Sequence, residues 1–376
     1  MKISPLLIYS SLLSFIGLLF ISSSSLFEAE KTIGDPYFFL KKQLIWLLLG
    51  FICLLITSKI KLNIVINNSF RLYFFSTILL LLVLIPGIGL KILGARRQID
   101  LGFFNFQPSE LFKFTSVIFF SYLFSLTEKR NLKNLALYLG LPLVLIILEP
   151  NLSTTVMIAA IVISIYYLSG AEIISLFSAG FIVTLFSFIL ILVSPYRLAR
   201  VKTLFNQQSD KNQNYHSEQM LLSLASGGWS GKGFANSNYK YKFLPKISTD
   251  SILAIVGEET GFVGLTLITY LFLLLISRLI RIAQVATDLY ERLLLGGIAC
   301  WIAYQGLINF AAIVALIPLT GIPFPFIAYG GSSLISLFCA LGLAINIENK
   351  YSKLLYSNHD RNQENRHHRH SHHSRR

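Results

Sequence analysis

Charge is scarce in this chain: Asp, Glu, Lys and Arg make up 13% of its 376 residues, against 54% hydrophobic ones. Apolar runs of this length exclude a soluble globular core, because about 20 consecutive apolar residues suffice to cross a bilayer. Strand alternation is missing from the runs, which excludes a membrane barrel and leaves helices, the structure that satisfies its own backbone in lipid. Only three cysteines occur, Cys53, Cys300 and Cys339, each inside an apolar run. They offer neither a disulfide framework nor metal-ligand spacing and read as small hydrophobes. No small-residue cleavage site follows the first apolar run, so that run reads as a retained helix and not as a signal peptide.

What is present is a series of ten apolar runs, at 5–27, 41–58, 70–90, 108–126, 134–149, 152–169, 172–194, 251–277, 293–317 and 325–347. The expected fold class is all-α: a polytopic membrane protein of ten transmembrane helices, with a large outer loop, 195–250, between the seventh and eighth. An even count puts both termini on one side, together with the short loops carrying Lys59, Lys61 and Arg71, then Lys129, Arg130 and Lys133, then Arg278, Arg281 and Arg292. The excess of Lys and Arg in short cytoplasmic loops makes that side the cytoplasm. Residues 1–350 form the membrane domain. Residues 351–376, rich in His and Arg, read as a disordered basic tail whose composition allows a weak metal or anionic-lipid contact.

Acidic residues number 18 against 32 basic ones, and topology sorts them. Chemistry on the outer face cannot use a cytoplasmic carboxylate, and the first outer loop has ordinary solvated composition. Asp100, Glu110, Glu149, Asp210, Glu218, Asp250, Glu258 and Glu259 remain. Asp250 closes the stretch Phe243-Leu244-Pro245-Lys246-Ile247-Ser248-Thr249-Asp250, at the end of a net-basic loop and at the rim of the eighth run. A carboxylate there suits acid–base work on an anionic, lipid-borne substrate, and it also suits capping of a helix start.

Glu110 and Lys113 lie on one face of the fourth run, either as a buried ion pair that holds helices together or as the lining of a polar cavity. Arg96 and Arg97 stand at the outer boundary, where an arginine grips a phosphate bidentately or snorkels to headgroups. Glu149-Pro150-Asn151 is a turn, with Asn151 a candidate helix cap, or part of a cavity. Residues 217–225 read as a short interfacial helix stopped by Gly227-Gly228. The glycines at 227, 228, 231 and 233 around Trp229 and Lys232 permit a close backbone approach. Glu258 and Glu259, some two turns deeper than Asp250, serve either as polar glue or as part of a site.

The motifs in order resemble the SEDS family (shape, elongation, division and sporulation), the FtsW, RodA and SpoVE peptidoglycan polymerases. They are Gly34-Asp35-Pro36 through Gln43-Leu44, Gly94-Ala95-Arg96-Arg97-Gln98-Ile99, Phe106-Gln107-Pro108-Ser109-Glu110-Leu111-Phe112-Lys113 and Gly227-Gly228-Trp229-Ser230-Gly231-Lys232-Gly233. The Phe243–Asp250 stretch with Gly257-Glu258-Glu259 follows, then Pro318-Leu319-Thr320-Gly321-Ile322-Pro323 and Pro325-Phe326-Ile327-Ala328-Tyr329-Gly330-Gly331-Ser332-Ser333. The first and the Thr320–Pro323 motifs look most like the FtsW branch, which implies a role in division. The family usually shows Gln-Pro-Asp where this chain has Glu149-Pro150-Asn151, and Ser where it has Ala328.

The resemblance implies an inverting glycosyltransferase that joins lipid II units into glycan strands on the outer face and releases undecaprenyl pyrophosphate. It implies Asp250 as the catalytic residue and marks Arg96, Glu110, Lys113, Arg200, Tyr329 and Ser332 as substrate-cavity positions. A class B penicillin-binding protein and other divisome or elongasome proteins are the implied partners; nucleic acid is not. In this scheme Asp250 accepts the proton of the attacking hydroxyl, and Arg96, Arg97, Arg200, Lys113 and Lys232 are the cations available to the departing pyrophosphate. Glu258 joins them as a binding residue. A divalent cation, Mg2+ or Mn2+, could share the work, although no site for one is readable. A lipid II flippase would spread polar residues towards the cytoplasm, whereas the inner halves of these runs are apolar; a scaffold for division proteins would not need Asp250. The Lys-, Asn-, Ile- and Phe-rich composition suits an AT-rich genome, hence a bacterial plasma membrane or a plastid inner membrane.

Overall fold

The structure is a computed structural model that describes residues 4–92, 95–102, 104–172, 211–237 and 249–373, with isolated positions between 174 and 192. Nine of the ten expected spans are helices: α1 (Pro5–Ile33), α2 (Phe38–Thr57), α3 (Leu62–Leu84), α4 (Pro108–Ser125), α5 (Leu132–Leu148), α6 (Leu152–Leu168), α8 (Ile252–Val285), α9 (Leu289–Ile313) and α10 (Gly331–His373). A further helix, α7 (Lys211–Gly227), belongs to the expected large loop 195–250 and covers the expected short helix 217–225. The seventh expected span, 172–194, falls largely outside the described residues, as does most of the loop before α7. Six of the helices are long and apolar enough to cross a membrane, and α5 and α6 are shorter apolar helices. The chain is therefore a multi-pass helical membrane protein.

The bundle is built by small residues that let helices approach, the usual device where lipid removes the hydrophobic drive between them. On α2 the buried positions Gln43, Trp46, Gly50 and Leu54 form a stripe that faces α10. Gly50 leaves room for the Phe338 ring, and Gly331 leaves room for the Trp46 indole. Gly17 on α1 lies against the backbone of Ile327, so the chain entering α10 is clasped between the first two helices.

The connection from α3 to α4 is not helical. It is a three-stranded antiparallel sheet, β1 (Gly89–Ile92), β2 (Ala95–Asp100) and β3 (Asn105–Phe106), in the order β1-β2-β3. Ile92 pairs with Ala95 and Ile99 with Phe106. Asp100 accepts the Gly102 amide at 2.8 Å, and Gly102 takes a positive φ of 78°, which makes the second turn. Strands this short carry too few alternations to be read from sequence.

On the other side of the bundle, α10 is fastened to several connections at once. Glu348 accepts Arg278 of α8 at 2.6 Å and the hydroxyl of Ser4, and Lys350 reaches Glu291 of α9 at 2.6 Å. Asn346 donates to the carbonyl of Ile60 at 2.7 Å. Glu348 is 3% exposed, so removing its arginine strands a buried charge. Arg278→Met is expected to cost about 3 kcal/mol, read as a lower midpoint of thermal unfolding in detergent, and Arg278→Met with Glu348→Gln recovers most of it. Beyond Tyr351 the backbone stays helical to His373, where the sequence reading has a disordered tail. No glycine or proline follows Gly342, so nothing in the sequence stops a helix already nucleated in the membrane.

Candidate active site

Asp250 lies one residue before Ser251, the N-cap of α8. Its backbone carbonyl accepts the side-chain amide of Asn309 at 3.2 Å, and the same amide donates to the Ile322 carbonyl at 2.8 Å. Gly321 has a φ of 71°, and a β-carbon there would stand 3.6 Å from Asp250 Oδ2. The carboxylate thus lies beside the Pro318–Pro325 segment, within van der Waals reach of where a side chain at Gly321 would begin. Asn309 is fully inside the bundle, and its Oδ1 has no protein partner among the described residues.

One turn along α9 from Asn309, Gln305 organises a second group. Its side-chain amide donates to the Pro323 carbonyl at 2.9 Å and to Ser333 Oγ at 3.3 Å. Its Oε1 accepts the Trp301 indole at 2.9 Å and Lys113 Nζ at 3.4 Å. Lys113 is also 2.7 Å from Glu110, both side chains are buried, and the ammonium lies 5.6 Å from the Trp301 ring centre. The pair is therefore an intrahelical ion pair wired through α9 to the segment beneath Asp250. Of the two readings of Glu110 and Lys113, the buried ion pair is the one these contacts describe. The remaining oxygen, Glu110 Oε2, is buried without a protein partner among the described residues.

The other expected positions separate. The register of β2 against β1 slips by one residue here, with Arg96 opposite Lys91 and Gln98 opposite Leu90, so Arg97 is the extra residue of a β-bulge. Arg97 donates from Nε to the Glu149 carbonyl at 3.0 Å and from its terminal nitrogen to the Pro150 carbonyl, and so ties the sheet to the α5–α6 turn. Arg96 makes no hydrogen bond or ion pair among the described residues. In the turn, Asn151 does cap α6, accepting the Thr154 amide at 3.4 Å, while the Glu149 carboxylate is fully buried. Ser332 accepts the Gln107 amide at 3.1 Å, joining α10 to the start of α4, and Tyr329 packs edge-on against Phe39 at 5.3 Å. Lys232 is 2.7 Å from the fully buried Glu258. Arg200 and residues 243–248 lie outside the described residues. Among the described residues no three His, Cys, Asp or Glu side chains are grouped to hold a metal ion.

Gln305 and Asn309 were not singled out by sequence reasoning. Two amide side chains spaced i, i+4 in an apolar helix were the available signal, since polar groups inside a membrane helix face the bundle interior.

The family model described as cell cycle protein, FtsW/RodA/SpoVE, matches residues 4–353. The chain belongs to this family. Two family relatives are 36% identical to it. The probable peptidoglycan glycosyltransferase FtsW of Trichlorobacter lovleyi aligns over 91% of this chain and 91% of its own length. The stage V sporulation protein E of Bacillus subtilis aligns over 94% of this chain and 99% of its own. Among solved structures, a chain of a peptidoglycan synthase complex that coordinates polymerization and crosslinking superposes with a TM-score of 0.76 at 23% identity, covering 92% of this chain and 97% of the other. RodA of Thermus thermophilus superposes with a TM-score of 0.67 at 24% identity, covering 92% and 95%. The family fold thus extends over nearly the whole membrane domain.

Proposed function

We propose that this chain is a peptidoglycan glycosyltransferase of the FtsW type, which polymerises lipid II on the outer face of a bacterial plasma membrane or plastid inner membrane during division. The names of its relatives support the activity. The observation that carries the site is Asp250, a carboxylate at the start of α8 whose backbone is tied by Asn309 and whose side chain faces Gly321.

In the reaction a sugar hydroxyl of one chain attacks the anomeric carbon of the other. The bond to pyrophosphate breaks, its electron pair leaves with the undecaprenyl pyrophosphate, and the hydroxyl proton passes to Asp250. One base and a good leaving group suffice, so the paired carboxylates of a glycosidase are not needed. Arg96 is the cation we assign to the pyrophosphate, because Arg97 and Lys232 are engaged with protein groups. Lys113 supplies positive potential from beneath, moderated by Glu110, and Arg200, Tyr329 and Ser332 complete the cavity. Positive charge held in place before the reaction stabilises the leaving group without reorganisation. A class B penicillin-binding protein is the transpeptidase partner in this reading, and both termini are cytoplasmic or stromal.

Reconstitution of the purified chain in liposomes with fluorescent lipid II, with and without a class B penicillin-binding protein, tests the reading. Glycan strands resolved as a ladder on a gel support it. Transbilayer movement of the lipid with no ladder in either condition would replace it with the flippase.

A further inference from the structure

The helix α8 is continuous in sequence and divided in its hydrogen bonding. At Gly261 the backbone turns to φ 67° and ψ −166°, a conformation open only to glycine without strain. The carbonyls of Glu258 and Glu259 accept the amides of Lys232 and Gly233, at 2.9 and 3.0 Å. The amides of Phe262 and Val263 donate to the carbonyls of Gly228 and Trp229, at 2.9 and 3.2 Å. The glycine segment 228–233 is thereby inserted into the break, and β-carbons at Gly227 or Gly231 would fall on the backbone of residues 257–260.

The two carboxylates at the break are engaged with the same segment. Glu258, fully buried, accepts Lys232 Nζ at 2.7 Å, Ser223 Oγ of α7 at 3.1 Å and the Ser237 hydroxyl. Glu259, 1% exposed, accepts Ser23 Oγ of α1 at 2.8 Å and the Ala235 amide at 3.0 Å. These partners all lie outside α8. The short half-helix 252–260 is therefore fixed to the outer loop and to α1, while the break relieves it of the orientation of 262–285. Asp250 stands two residues before the first turn of that half-helix.

We propose that Glu258, Glu259 and Lys232 are positioning residues for the reaction at Asp250. They lock the half-helix to the 211–237 segment, and docking of that segment sets where the Asp250 carboxylate stands over Gly321. This rests on the reading of Asp250 as the base, and it assigns Lys232 to Glu258 in place of the pyrophosphate. A charge pair with one fully buried member is suited to the task, because any other seating of the loop leaves Glu258 ionised in the bundle without its partner.

The test compares wild type, Glu258→Gln, Lys232→Met, their double variant and Asp250→Asn in lipid II polymerisation, with amide exchange over 227–237 and thermal unfolding measured on the same preparations. Glu258→Gln and Lys232→Met are each expected to lower kcat by about a hundredfold, the scale of a ~1 Å misplacement, with KM near wild type. The double variant falls no further than the stronger single one, and exchange rises across 227–237 in all three. Should Glu258→Gln fail to fold, Ser237→Ala removes one of its hydrogen bonds and is expected to give a smaller loss of kcat in the same direction. Losses that multiply in the double variant, with KM raised by Lys232→Met, would show Lys232 acting on substrate by itself and overturn the proposal. So would wild-type turnover in the Glu258 and Lys232 variants beside an inactive Asp250→Asn. An active Asp250→Asn would instead overturn the reading of the base, and the positioning role with it.

Discussion

Asp250→Asn is expected to lower glycan polymerisation by roughly 10²–10⁴, the usual contribution of a positioned general base, while the protein remains folded. The isosteric change removes proton acceptance and keeps the backbone carbonyl that Asn309 holds at 3.2 Å. Binding is expected to change little, since the lost interaction develops in the transition state and not in the ground state. The measurement is initial polymerisation rate against lipid II concentration, with size-exclusion elution and thermal midpoint as controls on fold. A rate within a few-fold of wild type would mean that Asp250 does not take the proton. Asp250→Glu separates chemistry from placement: it keeps the carboxylate but moves it by about one bond from its place beside Gly321. It is expected to recover only part of the rate.

Lys113→Ala is the substitution expected to damage the membrane domain most. The ammonium is 1% exposed and pairs with Glu110 at 2.7 Å, so its loss leaves a carboxylate in the bundle with no counter-charge. Breaking a buried pair from one side costs about 3–5 kcal/mol, whereas replacing both members with uncharged residues of similar volume is close to neutral. Lys113→Met with Glu110→Gln is therefore expected to restore the thermal midpoint that Lys113→Ala lowers. Activity separates the two roles of the pair. If Lys113 also supplies potential to the departing pyrophosphate, the double variant folds and stays slow; full recovery of both would make the pair structural alone. Gln305 is the natural control, because Gln305→Leu breaks the wire to Pro323 and Ser333 while leaving the charges in place.

Much of the candidate site is legible in the sequence because its residues are chemically out of place. A carboxylate at a bilayer rim, a Glu and a Lys three apart in an apolar run, and glycines clustered in a polar loop each break a local rule, and such breaks gather at functional sites. The readings that separated depended on direction. Arg96 and Arg97 are equivalent as residue types, and only the bulged strand β2 brings Arg97 to the carbonyls of the α5–α6 turn, while Arg96 makes no hydrogen bond or ion pair among the described residues. Glu258 reads in sequence as polar glue or part of a site, and only the fold of the loop brings Lys232 to within 2.7 Å of it. Gln305 and Asn309 lie in the ninth run among apolar neighbours, and their importance comes from carbonyls supplied by a distant segment, 318–325.

By itself the sequence determined that this chain crosses a membrane many times, that its unusual polar residues gather near one end of the spans, and which carboxylates were eligible for chemistry there. Those properties follow from composition and period along the chain, which the bilayer reads directly as length and transfer free energy. Tertiary structure decided the rest: which cations remain unengaged, that α8 breaks at Gly261 to admit the glycine segment, and that Asp250 is held by α9 over Gly321. Each of these is a pairing between groups far apart in sequence, and a buried polar group takes whichever partner the packed bundle brings within hydrogen-bond reach.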